Sequence, residues 1–415
     1  MAPTTSRIGG RRAATEARDL RTGASVWEAG GAPRPLAARP MRDMVVDVAV
    51  IGGGVTGALV ADAMLQAGRG VAAFDRRGFV QGSTAASTAL LQFEIDQPLT
   101  LLSERIGAAK AARAWWRSAQ AVEHLRTRVE DLRLHCGFRS RDAAYLPGNV
   151  LGLADLKREA AARQRIGLRS RFIGSDELHR LTGIEKRGAI WSRGSAEVDP
   201  VRLARGLWQS ARARGATLHA PVEIVDIMPG RRSVTLATAD GAEVRAKVLV
   251  LATGYELASM LRPRGYKIIS SWVIATRKQL RRLWPSRCLI WEAADPYLYI
   301  RSTTDGRVVI GGEDAEFEDE DRRDRLIARK ARSLETKAAK LLPFLDTRPA
   351  MSWAGSFGQS STGLPAIGPI PDAPGCYAVM GFGGNGITFS AIAAQMLQRM
   401  ILGLPDPDAD LFELG

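Results

Sequence analysis

The run Met44–Ile51 (MVVDVAVI) followed by Gly52-Gly53-Gly54 restricts this chain more than any other feature. Its β-branched and apolar residues suit a strand buried on both faces of a parallel sheet. Residues 55–67 then turn to helical spacing, with Leu59, Ala63 and Ala67 on one face and Gly68 as a stop. A second apolar run, 71–74, ends on Asp75. Strand, glycine turn, helix and strand in that order are a βαβ unit. The chain is therefore predicted to hold a Rossmann-like α/β domain.

The glycines fall as Gly52-x-Gly54-x-x-Gly57, with Val55 and Thr56 opening the helix. A diphosphate needs close backbone approach, which a Cβ would obstruct. The helix N-terminus offers free N–H groups and the positive end of its dipole. The third glycine lets helix and strand pack closely. Asp75, followed by Arg76, stands where a carboxylate can bond ribose hydroxyls and disfavour a 2′-phosphate. The competing reading is a glycine turn without a ligand. The motif by itself does not separate FAD from NAD.

A chain of 415 residues implies two or three domains. The formal charge of +14 could mark a nucleic-acid or membrane-surface binder. Its arginines, however, are spread along the chain among alanines and acids, so nucleic acid is not expected as a partner. Cys136, Cys288 and Cys376 show no metal or disulfide spacing, and His124, His135, His179 and His219 are scattered, so no metal site is expected. A cytoplasmic setting fits the cysteines. Residues 1–44 read as an Arg-rich, partly disordered arm, with Ser25-Val26-Trp27 pinned to the body. No run of about 20 apolar residues predicts a transmembrane helix.

Further along, 101–132 has the spacing of a long amphipathic helix, and Asp199-Pro200 starts another with an N-cap and a proline at its first position. Strand-like runs follow at 216–220, 222–227, 234–238 and 244–251. Residues 265–313 read as a β-rich block, 318–340 as a charged helix, and 353–402 as loop, strand (377–380), glycine turn and helix.

Five separated features now carry a resemblance. They are the glycine fingerprint with Asp75, the small-residue run 82–87 (GSTAAS), Glu197-Val198-Asp199-Pro200, Leu251-Ala252-Thr253-Gly254, and 381–388 (GFGGNGIT). In order and spacing the chain resembles the D-amino-acid oxidase-like superfamily of flavoproteins over roughly 45–403. That group includes glycine oxidase, sarcosine oxidase and D-amino-acid dehydrogenase.

The resemblance implies FAD. It implies that Gly82, Ser83, Thr84, Ser87 and Thr88 line the diphosphate and flavin side, and that the Val222 backbone meets adenine. Thr253 and Gly254 would end a strand at the phosphate face. Gly383, Gly384, Asn385, Gly386, Ile387 and Thr388 would bring backbone N–H groups and a second helix N-terminus to the flavin pyrimidine. Read alone, 82–87 is a plain loop and 381–388 an ordinary strand-to-helix connection.

The chain also departs from the family. Glycine oxidase-like members carry an Arg just past Trp-Ala-Gly that clamps the substrate carboxylate; Phe357 stands there. A second Arg, in the C-terminal turn, is replaced by Gly384. Bidentate guanidinium pairing is the usual carboxylate clamp, so simple α-amino acids are in doubt. Arg277 and Arg301 are the candidate substitutes, with surface positions as the alternative. The Lys that sarcosine oxidase-like members use with oxygen is missing from 308–312, which leaves oxidase and dehydrogenase both open. Residues 353–367 hold no Cys for a flavin link, so non-covalent FAD is expected.

Tyr297, Tyr299, Trp272, Arg301 and Phe357 are the expected cavity residues from the β-rich part, with Gln92 and Glu94 after the small-residue run. Tyr297 and Tyr299 alternate onto one strand face. Sheet packing for the aromatics, and a structural or surface place for Glu94, are the competing readings.

Taken together, these readings predict a Rossmann-like, discontinuous FAD-binding domain (45–130, 195–260, 350–403) and a β-rich α+β substrate domain (131–194, 261–349). A C-terminal tail (404–415) follows. The expected reaction takes hydride from the carbon beside an amine nitrogen of a small amine or amino acid, with imine hydrolysis after it. Oxygen or a redox carrier would receive the electrons. The alternatives are a flavin dehydrogenase of a hydroxy substrate, a flavin-binding RNA-modifying protein, and a non-catalytic flavin protein.

Overall fold

Strand Met44–Ile51, helix Val55–Gln66 and strand Val71–Phe74 form as the alternation of apolar runs and glycines requires. A computed structural model describes residues 14–29, 36, 41–258, 260–261 and 265–414, and the backbone alone of 7–8 and 11–12. The rest of the expected N-terminal arm lies outside the described residues.

Two sheets organise these residues. In the eight-stranded one, Thr217–His219, Val71–Phe74, Met44–Ile51, Glu243–Leu251 and Cys376–Met380 run parallel. Val234–Thr238 and Ile224–Met228 extend it antiparallel, and Ala366–Pro369 pairs with Cys376–Met380. Helix Val55–Gln66 packs against Pro200–Ala213 and Gly386–Ile401. A Cβ on Gly57 would lie 2.0 Å from the Gly52 carbonyl oxygen, so this helix can seat on the turn only with glycine there.

The ten-stranded sheet runs Arg21–Thr22, Pro349–Gln359, Lys267–Thr276, Val308–Glu316, Leu298–Ser302, Leu289–Ala293, Arg139–Pro147, Gly188–Glu197 and Leu90–Leu91, with Ser170–Gly174 paired to Gly188–Glu197. Helix Ile327–Leu341 covers part of it, burying Ala331, Leu334 and Ala338 in the same core as Trp272 and Ile310. Cys136, Cys288 and Cys376 are all buried. Among the described residues no helix is long and apolar enough to cross a membrane.

Several boundaries differ from the expectation. The expectation places residues 350–359 in the cofactor domain, with 353 onward as loop. They form a strand of the other sheet, pairing along Lys267–Thr276 with Trp353 opposite Val273. Ala354, Gly355, Ser356 and Gly358 give this strand little intrinsic β signal, and pairing with a buried neighbour overrides it. The single helix expected over 101–132 is two, Leu99–Ile106 and Ala108–Asp131, hinged at Gly107 with φ +87°. The charged helix expected over 318–340 is likewise two, Glu320–Arg325 and Ile327–Leu341.

Both ends of the described chain are docked. Val26 is buried, and the Trp27 indole donates to the Ser87 carbonyl at 2.7 Å. At the C-terminus, Asp406 and Asp408 pair with Arg117 and Arg113, and Phe412 is buried.

Candidate active site

A large cavity draws its walls from both sheets. One end is backbone. Gly52, Gly53, Gly54, Val55 and Thr56 line it, and Gly52 takes φ +118°, where a Cβ would sit 2.2 Å from the Ala252 oxygen. Asp75 is fixed by three amides: Oδ2 accepts from Gly53 at 2.7 Å, and Oδ1 from Arg77 at 2.9 Å and Gly78 at 2.8 Å. The Val222 amide donates to the Asp75 carbonyl at 2.9 Å, which brings Val222 to the wall beside Arg76. Thr253 and Gly254 line the cavity where strand Glu243–Leu251 ends.

Gly82, Ser83, Thr84, Ser87 and Thr88 line the same space. The Thr84 hydroxyl accepts from the Val55 amide at 3.0 Å and so satisfies one free N–H of that helix start. Thr56 and Ser390 bond each other at 2.8 Å, tying together the N-terminal ends of two helices whose first residues line the cavity. The small-residue run is held from behind. Trp353 donates to Ala86 O at 2.9 Å, Trp27 to Ser87 O, and Arg301 Nη1 to Thr88 O at 3.3 Å and Ala89 O at 2.7 Å.

The other end is made of side chains. Gln92, Asp96, Tyr297, Tyr299, Ser271 and Phe357 meet Gly383, Gly384, Gly386 and Ile387. The two tyrosine rings lie 5.2 Å apart, and Tyr299 bonds Ser271 at 3.0 Å. Gly311 makes room for Tyr299, since a Cβ there would lie 2.1 Å from its ring. Asp96 Oδ2 accepts from the Gly384 amide at 2.7 Å. Burial raises the Asp96 carboxyl above its ordinary range, and that single amide offsets it only in part. Behind Ser271, Asp314 is pushed up to about 7 by burial, with the charge of Asp96 adding to the shift.

Several expected site residues stand elsewhere. Arg301 is neither a substrate clamp nor a surface group. Besides holding 88–89 it donates to Val198 O at 2.8 Å and lies 3.7 Å from Glu197, and burial lowers its guanidinium to about 10. Trp272 is core: its indole donates to Arg323 O at 3.0 Å. Glu94 is buried away from the cavity, bonded by Ser195 at 3.2 Å and Arg163 at 3.4 Å. Arg277 is exposed and does not line the cavity. Gly57 serves helix packing.

Asn385 and Thr388 bond the 92–96 segment instead of facing the cavity. Asn385 donates to Glu94 O at 2.9 Å and accepts from the Asp96 amide at 3.2 Å, and Thr388 donates to Gln92 O at 2.9 Å. Both are pulled back because the irregular backbone at 92–96, outside any strand or helix, needs partners when buried.

Asp96, Ser271, Arg77 and Glu256 also line the cavity and were not foreseen. Arg77 Nη1 pairs with Glu256 at 2.7 Å. Asp96 had a faint signal, an acid two residues past Glu94. Thr15 and Leu20 reach the cavity from the N-terminal segment, which no motif marks.

The pattern of the FAD-dependent oxidoreductase family matches residues 47–400, nearly the whole described body. The chain belongs to that family. Among curated proteins it is similar to glycine oxidase of Pseudomonas aeruginosa, 29% identical over 52% of this chain and 58% of that protein. It is also similar to gamma-glutamylputrescine oxidoreductase of Escherichia coli, 22% identical over 88% of this chain and 85% of that one. The crystal structure of glycine oxidase from Geobacillus kaustophilus shares the fold, with a TM-score of 0.75 at 22% identity over 89% of this chain and 98% of that one.

The cavity of this FAD-dependent oxidoreductase fits its cofactor in kind. Cβ-free backbone and a helix start stand ready for phosphates, the Asp75 carboxylate for ribose, and a second helix start at Gly386 for an electron-rich ring edge.

Proposed function

We propose that this FAD-dependent oxidoreductase oxidises a C–N bond of a small amine or amino acid, the imine then passing to water. The observation that carries the reading is the shared cavity, in which the glycine cradle continues into a wall of Tyr297, Tyr299, Phe357 and Asp96. Bound FAD supplies the hydride acceptor. The residues of the chain position and exclude water, which is the protein's main task in such chemistry.

In this reading Gly52, Gly54, Asp75 and 82–88 hold the adenosine and diphosphate, and Gly383–Ile387 the flavin ring (residues 383–387). The aromatic side chains form the substrate walls, with Gln92 beside them. The eight-stranded sheet is the cofactor-holding part and the ten-stranded sheet the substrate part. Non-covalent FAD suits the positions of the cysteines, none of which lines the cavity. Oxygen or a redox carrier takes the electrons, in the cytoplasm.

Product analysis under turnover tests the reading. Supplied with an artificial electron acceptor and a panel of amines, amino acids and hydroxy acids, the enzyme is expected to release ammonia or a smaller amine together with a carbonyl compound. Turnover of hydroxy acids alone would replace the C–N reading with C–O oxidation.

A further inference from the structure

At the substrate end of the cavity the charge is one-sided. The lining cations are Arg76 and Arg77, both beside Asp75 at the dinucleotide end, and Arg77 is paired with Glu256. Near Tyr297 and Tyr299 the lining holds Asp96 and no Lys or Arg among the described residues. Arg301, further along the strand that carries Tyr299, is consumed by four carbonyls and Glu197. Lys330, whose charge acts on Asp314, is bonded to Glu313 and sits over the Trp272 ring.

Asp96 is also built into place. A Cβ on Gly384 would lie 2.7 Å from Asp96 Oδ2, 3.0 Å from Oδ1 and 3.0 Å from the Tyr297 hydroxyl, so no larger residue fits the turn while both groups stay. The Asp96 amide is bonded by Asn385, and one carboxylate oxygen by the Gly384 amide. The second oxygen has no protein donor among the described residues. Asp314 lies behind the same wall, with one buried oxygen unpartnered, and adds negative potential. Two partly buried carboxylates beside phenol rings make an environment that a cation relieves and a second carboxylate aggravates.

Resting on the C–N reading above, we propose that the substrate is a cationic alkylamine with no carboxylate on its reacting carbon, held by its ammonium group on Asp96 and flanked by the rings of Tyr297 and Tyr299. α-Amino acids are poor ligands, because their carboxylate would meet Asp96 with no guanidinium to receive it.

The test uses FAD-loaded enzyme and matched pairs: ethylamine with alanine, benzylamine with phenylglycine, and propionate and benzoate as carboxylates without an amine. Binding is read by calorimetry and by perturbation of the flavin spectrum. The amines are expected to bind at least about tenfold more tightly than their amino-acid partners, and Asp96→Asn to weaken amine binding by about tenfold or more. Flavin content and melting temperature of the variant check that it folds. Tighter binding of amino acids or carboxylates, unchanged amine affinity in Asp96→Asn, or no binding by any compound overturns the proposal. Amino acids that bind better and are deaminated would sink this inference and leave the C–N reading standing. Hydroxy acids turned over in place of both would remove the C–N reading itself.

Discussion

The two ends of the cavity are built in opposite ways. The dinucleotide end centres on one contiguous stretch: 52–57 and Asp75 sit within one βαβ unit, with Val222, Thr253 and Gly254 added at its margin, and the decisive property of its glycine turn is the absence of side chains. The substrate end is assembled from side chains on segments far apart in sequence, with Asp96 placed by Asn385 across 289 residues. One end needs atoms left out of a short stretch; the other needs atoms brought in from distant ones. A substitution at the first should therefore cost the cofactor, and one at the second should change the ligand.

Glycine is where that contrast should break most severely. Gly57→Val places side-chain atoms where even a Cβ lies 2.0 Å from the Gly52 oxygen. The expected outcome is purified protein with less than about a tenth of the normal flavin per chain, or none soluble. Wild-type flavin content in this variant would show that the turn does not carry the cofactor.

Arg301 tests whether a cation near the cavity belongs to it. Arg301→Met leaves the Thr88, Ala89 and Val198 carbonyls without their buried donor and Glu197 with Arg141 alone, and should cost about 3–5 kcal/mol in unfolding free energy. Amine affinity in the folded fraction should stay near wild type. A stable variant that loses only substrate binding would return Arg301 to the cavity.

Asp314 carries a pH signature. Its folded-state pKa of about 7 exceeds the ordinary carboxylate value, so the folded state binds more protons than the unfolded one. Its contribution to stability is favourable at low pH and is lost as pH rises from about 4 to about 7. Asp314→Asn removes that loss. Its melting temperature should exceed wild type by a few degrees at about pH 8, and the gap should close towards about pH 5. Asp96 and Asp295 repel the same carboxylate and Lys330 attracts it, so the gap should narrow in Asp96→Asn. An equal gap at both pH values would contradict the raised pKa.

The smallest effect belongs to one hydroxyl at the backbone end. Thr84→Ala leaves the Val55 amide without its acceptor and should cost about 1 kcal/mol, or roughly fivefold in FAD affinity measured by reconstitution of apoprotein. No change would mean that bound FAD already satisfies that amide.

The same contrast decides what could be read from sequence. The βαβ unit was legible to within a residue, because strand, turn and helix periodicities are local: the helix expected over 55–67 spans Val55–Gln66. The alternation that puts Tyr297 and Tyr299 on one strand face was also legible, and both line the cavity. The fate of Arg301 was not, since further along the strand it meets the 88–89 carbonyls instead of the cavity. Glu94 and Asp96 present the same chemistry two residues apart. Arg163 and Ser195 take Glu94 into the core, and Gly384 and Asn385 hold Asp96 at the wall, and neither choice has a local signature. Strand Pro349–Gln359 escaped for a related reason: its glycines and serines gain β structure only from the neighbour they pair with.

The most direct test of the whole account is the visible absorbance spectrum of the purified protein, taken before and after anaerobic addition of an alkylamine. The expected result is a flavin spectrum whose main band bleaches when the amine is added, from a flavin released intact on denaturation. Protein that holds no flavin after reconstitution with FAD, or a flavin band that only hydroxy compounds bleach, would contradict it.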